Sequence, residues 1–597
     1  MVAIYTTPSQ EADRKTSLQR WTKRTQEVLA FRSQHGGSFD RLYNLFRTKR
    51  LVEVALDGVL QNEGAVTAGV DGVTRKTLGG HPDRYQRLRD EIWRELSTKT
   101  YQPAPVRRVY IPKANGEQRA LGIPTIKDRA VQEMLRLVLE PIYEAKFYGH
   151  SYGFRPFRST HHAAVRIKDL MGRRGYNWAI EGDIRKCFDR IHHAKLLNIL
   201  RNTIQDERII RLVRSMLVAG VMEDGAWHVS GEGTPQGGIV SPLLANIYLN
   251  ELDTFIASKW HLLPNKEQQR QRRTGVARPC FLVRYADDFV VMVKGTEEQA
   301  KELKAEIAEF LWLELHLELS ESKTLVTPAT TGVDFLGFHI RKFAHAALIV
   351  PSRKAMDNFR KVVTARIWEG FSEGDVAGVV GTNRYIVGWG MYYRRVSSAR
   401  AFRKLDRFVW QRVWRTTLRL RSPRGRRRPA QHYGRHHVRY RFDNNKKNRW
   451  RGGGHYGVWA NKERSAAYIV AKLSFLPIRY VDFHPQLNPY IPEERAQLEA
   501  RRNLQGFLAE LQLNQSKVNQ EFGSEWSAIR KASLKAAGYE CQRCGRSVSG
   551  RTGQVQHRHP EQPVRFRSKA FLLGHFIVLC PTCQRAGAEG QPGMLLL

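Results

Sequence analysis

A pair of adjacent acids set between two apolar runs constrains this chain more than any other feature. Tyr285-Ala286-Asp287-Asp288 separates Phe281–Val283 from Phe289–Val293. Two short β-like runs joined by so few residues predict a tight hairpin at a sheet edge, with the acids at its turn. Carboxylates forced together there repel one another, and a divalent cation relieves that repulsion while offering a template for phosphate oxygens. A third acid is needed to complete such a site. Asp183 supplies it, closing the strand-like run Trp178–Ile180 within Glu181-Gly-Asp-Ile-Arg-Lys-Cys-Phe-Asp189. Folding that strand beside the hairpin would bring three carboxylates to a pair of Mg2+ ions, the donor set for in-line nucleotidyl transfer. Taken alone, an Asp-Asp turn is also what a solvated hairpin tip looks like.

Charge narrows the partners. Lys and Arg total 98 against 57 Asp and Glu, a formal net charge of +41, which repels itself unless a polyanion neutralises it in use. Nucleic acid is the expected partner. No stretch approaches the ~20 apolar residues of a spanning helix, so no membrane is expected. Glu11 and Asp13 near the start depart from the acid-poor look of a transit peptide, so the expected location is the bacterial cytoplasm and nucleoid. Six cysteines are too few for a disulfide framework at this length. Cys187 and Cys280 stand alone and are expected as small buried hydrophobes. Cys541-x-x-Cys544 and Cys580-x-x-Cys583 have metal-ligand spacing and are expected to form a tetrahedral zinc site of four thiolates, stapling a module too small for a good core.

A length of 597 residues favours several domains. Apolar runs at Trp178–Ile184, Phe281–Tyr285, Phe289–Val293 and Phe335–Ile340, with a helical pattern at Glu297–Leu311, predict an α+β core. From about 341 to 480 helical periodicity continues while Arg becomes dense, as in Arg421-Ser-Pro-Arg-Gly-Arg-Arg-Arg428. The Pro-containing stretch His484 to Pro492 predicts a linker, and Glu493 to about Leu513 a charged helix.

The acid box and its neighbours together resemble the palm of a reverse transcriptase. Ile111-Pro-Lys-Ala-Asn-Gly-Glu-Gln-Arg-Ala-Leu-Gly-Ile-Pro124 is similar to the fingers block of group II intron enzymes, and Gly233-Thr-Pro-Gln-Gly-Gly-Ile-Val-Ser-Pro-Leu-Leu-Ala-Asn246 to the block where glycines let backbone approach template and nucleotide. The resemblance implies that Lys113 and Arg119 grip the incoming triphosphate and that Gln236 contacts the nucleotide. It further implies that Phe188, five residues after Asp183, excludes a 2′-hydroxyl and so selects dNTPs, and that Tyr285 belongs to the substrate site. Ser320-Glu-Ser-Lys323-Thr324 resembles the palm block whose lysine protonates pyrophosphate, and Asp334-Phe-Leu-Gly-Phe-His339 the primer-holding block. These likenesses cover approximately residues 40–480.

Asn383-Arg-Tyr-Ile-Val-Gly-Trp-Gly-Met-Tyr-Tyr-Arg394 resembles the maturase, or thumb-like X, domain of group II intron proteins, where rings and guanidinium groups suit structured RNA. Trp389 and Tyr392 fit either stacking on RNA or packing in a helical core. The C-terminal cysteines, with Gln554-Val-Gln-His557-Arg-His-Pro560 between them, resemble an HNH endonuclease domain. That family has a second histidine where Gln556 stands and another where Gln584 stands. Amides bind a hard cation poorly, so a structural zinc module is expected over an active nuclease. His557 remains the possible nuclease base, and His559 is expected at the surface.

The resemblance as a whole implies a right-hand polymerase fold. An N-terminal extension and the start of the fingers fill 1–80, fingers 81–180, and palm 181–340. A helical maturase domain follows over 341–450, then a DNA-binding region and linker over 451–524 and a small zinc-stabilised HNH-like domain over 525–597. The implied function is RNA-directed DNA polymerase, maturase for a group II intron RNA, and intron mobility by target-primed copying at exon or target DNA. Two alternatives stay open: an active HNH endonuclease, and an RNA-binding splicing factor whose polymerase is silent.

Overall fold

Strands form where β-branched and aromatic residues run together between turn residues, and this chain has such runs chiefly in its first 352 positions. The computed structural model describes residues 8–79, 82–112, 116, 118–223, 226–228, 233, 237–321, 323–344, 346–372, 376–419, 437–438, 455–459, 467–476, 478–484, 486–500, 502, 554–557 and 576–579. The chain divides into two units, Met1–Ser352 with Val481–Arg495, and Arg353–Tyr480 with Ala496–Leu597.

In the first unit, β1 (Val106–Pro112) and β2 (Gln118–Ile123) make an antiparallel hairpin. β3 (Trp178–Asp183) follows, then the short β4 (Val221–Glu223) and β5 (Ala226–His228), which join the first hairpin in the order β2-β1-β4-β5. β6 (Cys280–Tyr285), β7 (Asp288–Val293) and β8 (Leu325–Pro328) complete a second antiparallel sheet, ordered β6-β7-β3-β8. Residues 289–293 of β7 are buried without a break. Successive side chains point to opposite faces, so this strand is covered on both. The helices Thr160–Gly172, Ser241–Lys259 and Glu297–Leu315 pack against this sheet.

The same apolar core continues into the N-terminal helices. Lys49–Gln61 lies against Ile126–Glu144, the first contributing Val52 and Leu56 and the second Met134 and Leu135 to this core. Thr48 and Thr125 cap the two starts by accepting hydrogen bonds from the backbone N–H groups of Leu51 and Asp128. Each such cap is worth about 1 kcal/mol.

The single strand expected over Phe335–Ile340 is instead two, β9 (Val333–Phe335) and β10 (Phe338–Lys342), followed by β11 (Ala347–Pro351). Leu336 and Gly337 both adopt positive φ, 52° and 82°, and reverse the chain between β9 and β10. The apolar run concealed a turn because Leu336 is itself apolar. The expected linker also differs. His484 and Asn488 are buried, and the Tyr490 hydroxyl donates to Glu140 at 2.8 Å, so this stretch is packed into the unit by side chains some 350 positions upstream. The helix after it is described over 492–500 and at 502.

In the second unit the helices Arg353–Ser372, Val376–Tyr393 and Ala399–Arg419 pack around Phe359, which lies 4.8 Å from the half-buried Trp389 ring. Trp389 also meets Tyr393 and Phe402. Asp406 accepts hydrogen bonds from Leu473 N and Ser474 N at 2.7 and 2.9 Å. β12 (His437–Val438), β13 (His455–Trp459) and β14 (Ala467–Ile469) form one small sheet, and β15 (Gln554–His557) pairs with β16 (Phe576–Leu579). Among the described residues no helix is long and apolar enough to cross a membrane.

Candidate active site

The expected hairpin forms, and its loop is two residues long. Tyr285 pairs with Asp288 across β6 and β7, leaving Ala286 and Asp287 as the turn. Such short loops demand positive φ at a central residue, which normally selects Gly or Asn. Here Ala286 adopts φ 57°. β7 pairs on its other side with β3, in a register that sets Asp183 directly opposite Asp288. Strand ends therefore bring the third acid to the first two, and a slip of one residue would turn it to the opposite face.

The acids respond to one another. Burial, then the negative charges of Asp287 and Asp183, pushes the Asp288 carboxyl up to about 6, while Lys323 pulls the other way. Asp288 keeps surface open to solvent, so the hydration it loses is that displaced by the protein packed around it. Asp287 is also raised, by burial and by Asp183, and is opposed by Arg119 and Arg284. Lys323 Nζ donates to Asp183 Oδ2 at 2.8 Å. Among the described residues no three His, Cys, Asp or Glu side chains stand gathered as a ready metal-holding set. The three carboxylates nonetheless suit a hard cation, being oxygen donors brought to one sheet edge, with Asp287 and Asp288 both raised by burial and then by neighbouring negative charge.

Around the acids stand several of the expected substrate residues. Arg119, on β2, lies close enough to influence Asp287. Phe188 follows Lys186, which takes φ 48°, and is half-buried on a single 3-10 turn, Cys187–Arg190. Its ring meets Phe154 edge to face at 6.4 Å. Lys113 and Gln236 lie outside the described residues, as do Cys541, Cys544, Cys580, Cys583, Gln584 and His559. His557 and Gln556 fall within β15. Cys187 and Cys280 are buried, and burial raises both thiols, Cys280 to about 12.

The glycine block has a reason the sequence did not expose. A Cβ on Gly233, at φ 86°, would stand 2.8 Å from the Asp189 carbonyl oxygen, and one on Gly237, at φ 112°, 2.6 Å from that of Gly122. These glycines admit protein backbone, tying both β2 itself and the segment after β3 to the block.

Sequence reasoning passed over the residues behind the turn. Arg284, fully buried, sits between Asp253, Asn246 and the turn. Gly153 lies so near that a Cβ there would overlap Ala286 N. Phe154, next to it, is 54% exposed at φ 57°, an unusual state for a large apolar residue. A lone charge inside an apolar run was the available signal for Arg284.

Comparison with known proteins gives two family matches: reverse transcriptase (RNA-dependent DNA polymerase) over residues 111–340, and the group II intron maturase-specific domain over 376–434. Protein YkfC of Escherichia coli K12 is 38% identical over 363 residues, 56% of this chain and 93% of YkfC. The group II intron-encoded protein LtrA of Lactococcus lactis is 36% identical over 353 residues, 51% of this chain but only 57% of LtrA. Among solved structures, telomerase from Candida albicans matches with a TM-score of 0.32 and 15% identity, over 54% of this chain and 60% of that one, a likeness too loose to carry any conclusion.

Proposed function

The chain belongs to the family of group II intron reverse transcriptases and maturases, and from that premise we propose that it copies RNA into DNA at Asp183, Asp287 and Asp288 and holds its intron RNA in a splicing-competent fold. The observation that carries the polymerase reading is the register of β3 against β7, which sets Asp183 opposite Asp288 beside the two-residue turn bearing Asp287.

The three carboxylates would hold two Mg2+ ions, which when bound supply Lewis-acid activation of a primer 3′-hydroxyl and neutralise charge on the leaving pyrophosphate. The chain's own residues do the rest. Arg119, with Lys113, binds the triphosphate, as paired cations suit a polyphosphate. Phe188 closes the space a ribose 2′-hydroxyl would need. Lys323, which donates to Asp183, would give a proton to pyrophosphate as it leaves. Gln236 and Tyr285 line the nucleotide and template side.

The maturase activity rests on preferential binding of one RNA state, which shifts the population toward it. In the family this ribonucleoprotein then copies the intron into exon or target DNA from a primer in that DNA, and for this chain the proposed location is the bacterial cytoplasm and nucleoid. For the tail we favour a structural zinc module held by Cys541, Cys544, Cys580 and Cys583. The spacing supports it, and Gln556 and Gln584 argue against nuclease activity through His557.

Primer extension with dNTPs on an RNA template, wild type against Asp287→Ala in Mg2+, tests the central reading. cDNA from wild type alone is the expected result. No cDNA from soluble, RNA-bound wild type would replace it with an RNA chaperone whose polymerase is silent. Metal-dependent cleavage of target DNA, lost in His557→Ala, would overturn the structural reading of the tail.

A further inference from the structure

Arg284 and Asp253 have no exposed surface, and their side chains form a forked pair: Nε to Oδ1 and Nη2 to Oδ2, both at 2.6 Å. The remaining terminal nitrogen, Nη1, donates twice, to Asn246 Oδ1 at 3.0 Å and to the Ala286 carbonyl at 2.8 Å. Asn246 in turn donates through Nδ2 to the Gly153 carbonyl at 2.8 Å. Gly153 presses on the Ala286 backbone so closely that no side chain fits between. The contacts close a ring: Arg284, Asn246, Gly153, Ala286 and back to Arg284.

The backbone reinforces that ring. β6 is the edge of its sheet, and the segment from His150 to Tyr152 covers it: Arg284 N donates to His150 O at 3.1 Å, and Tyr152 N to Arg284 O at 2.8 Å. Asn246 and Asp253 lie seven residues apart on the helix Ser241–Lys259, about two turns, and so present to the same side.

A buried ion pair is weak evidence of a stabilising role, since apolar residues of similar volume often serve as well. This one holds a turn whose Ala286 is in a left-handed conformation, and such conformations persist only where surroundings over-determine them. The next two residues are Asp287 and Asp288. We infer that Arg284, with Asp253 and Asn246, is a positioning residue that fixes the Ala286 carbonyl and thereby sets where the Asp287 and Asp288 carboxylates stand. This deepens the polymerase reading and rests on it.

The test separates fixing the turn from filling the core. Arg284→Met and Asp253→Leu each strand a buried charge, and each should lower the melting temperature and activity. The double variant strands none and should recover its melting temperature, yet leave the Ala286 carbonyl without its donor. Its expected kcat for dNTP addition is down roughly 100-fold, the effect of misplacing a reacting group by about an ångström. KM for dNTP should stay within about threefold, and Mn2+ affinity, read by electron paramagnetic resonance of free Mn2+, should weaken. A double variant with wild-type melting temperature, kcat and Mn2+ affinity overturns the proposal. Should it fail to fold, Asn246→Ala leaves the ion pair intact and opens the ring: reduced kcat in the folded variant, measured well below its melting temperature, supports the inference, and unchanged kcat overturns it. Wild type must extend the primer in the same assay, and its failure would sink the polymerase reading instead.

Discussion

The palm sheet and the helical unit that begins at Arg353 use exposed residues in opposite ways. At the sheet, strands buried along their length end in acids, and register decides what the acids can do. On the helices Trp389 packs on Phe359, Tyr393 and Phe402, while Trp368 and Trp410 stay half exposed. Arg403, Arg407 and Trp410 are all exposed at spacings that share one helix face. On the proposed function, fixed geometry would carry the work of the first region and an exposed surface that of the second. Substitutions should therefore act as a cliff in one and a slope in the other.

The cliff is steepest at Asp183. Asp183→Asn is expected to reduce single-turnover primer extension by at least ~1,000-fold, since an amide cannot share the charge that the opposed acids require. It should also remove one of the charges that push Asp288 upward, so thermal stability should hold or rise. A loss of activity traced to unfolding would break the contrast at its first point.

Phe188 sharpens it. Phe188→Val should reduce discrimination between dNTPs and rNTPs roughly 100-fold, measured as the ratio of kcat/KM, because a steric boundary is lost and no binding group is. Phe154→Leu should reproduce a part of that change, through the edge-to-face contact at 6.4 Å. Unchanged discrimination in Phe188→Val would show that something else bounds the sugar.

These expectations divide by what the chain could disclose. The acid hairpin was legible because its apolar flanks, turn length and charge are all local. Asp183 was legible because it ends its own apolar run. Arg284 was not: its partners lie on a helix 31 and 38 positions earlier, and a lone Arg among apolar residues says nothing about which acid it meets. The 484–492 stretch misled for a related reason, as its polar, Pro-containing composition reads as linker while Tyr490 reaches Glu140. Trp389 and Tyr392 stayed ambiguous in sequence, and the ring contacts of Trp389 assign at least that residue to packing.

A smaller effect probes the palm edge from behind. His150, whose carbonyl supports Arg284, is pushed down to about 2 by burial, then by the charges of Arg166, His261, Arg158 and Arg174. Tyr148, Tyr152 and Phe281 also face its ring. The imidazole is neutral in the fold and titrates near 6.5 when unfolded, so the unfolded chain takes up the extra proton. Its contribution is present in full above pH 6.5 and is lost as pH falls toward 2. Between pH 7.5 and 5.5 urea denaturation should show a loss of about 1.4 kcal/mol from this group. His150→Gln should flatten that part of the pH dependence, with the lowered His261 leaving a remainder.

On the helical face the expected effects are gentler, and they differ in kind. Trp410→Ala should weaken binding of structured RNA about fivefold, the low end for loss of one stacking ring, with the dependence on salt unchanged because no counterion release is lost. Arg407→Ala should weaken binding by a similar factor and also reduce the slope of log affinity against log salt by about one. Titrations at several salt concentrations distinguish the two. Neither substitution should alter dNTP discrimination. A loss from Trp410→Ala as steep as that from Asp183→Asn would mean that the helical face is built to the same tolerance as the palm. No loss from either variant would move RNA recognition off this face and leave its rings and guanidinium groups as solvated surface.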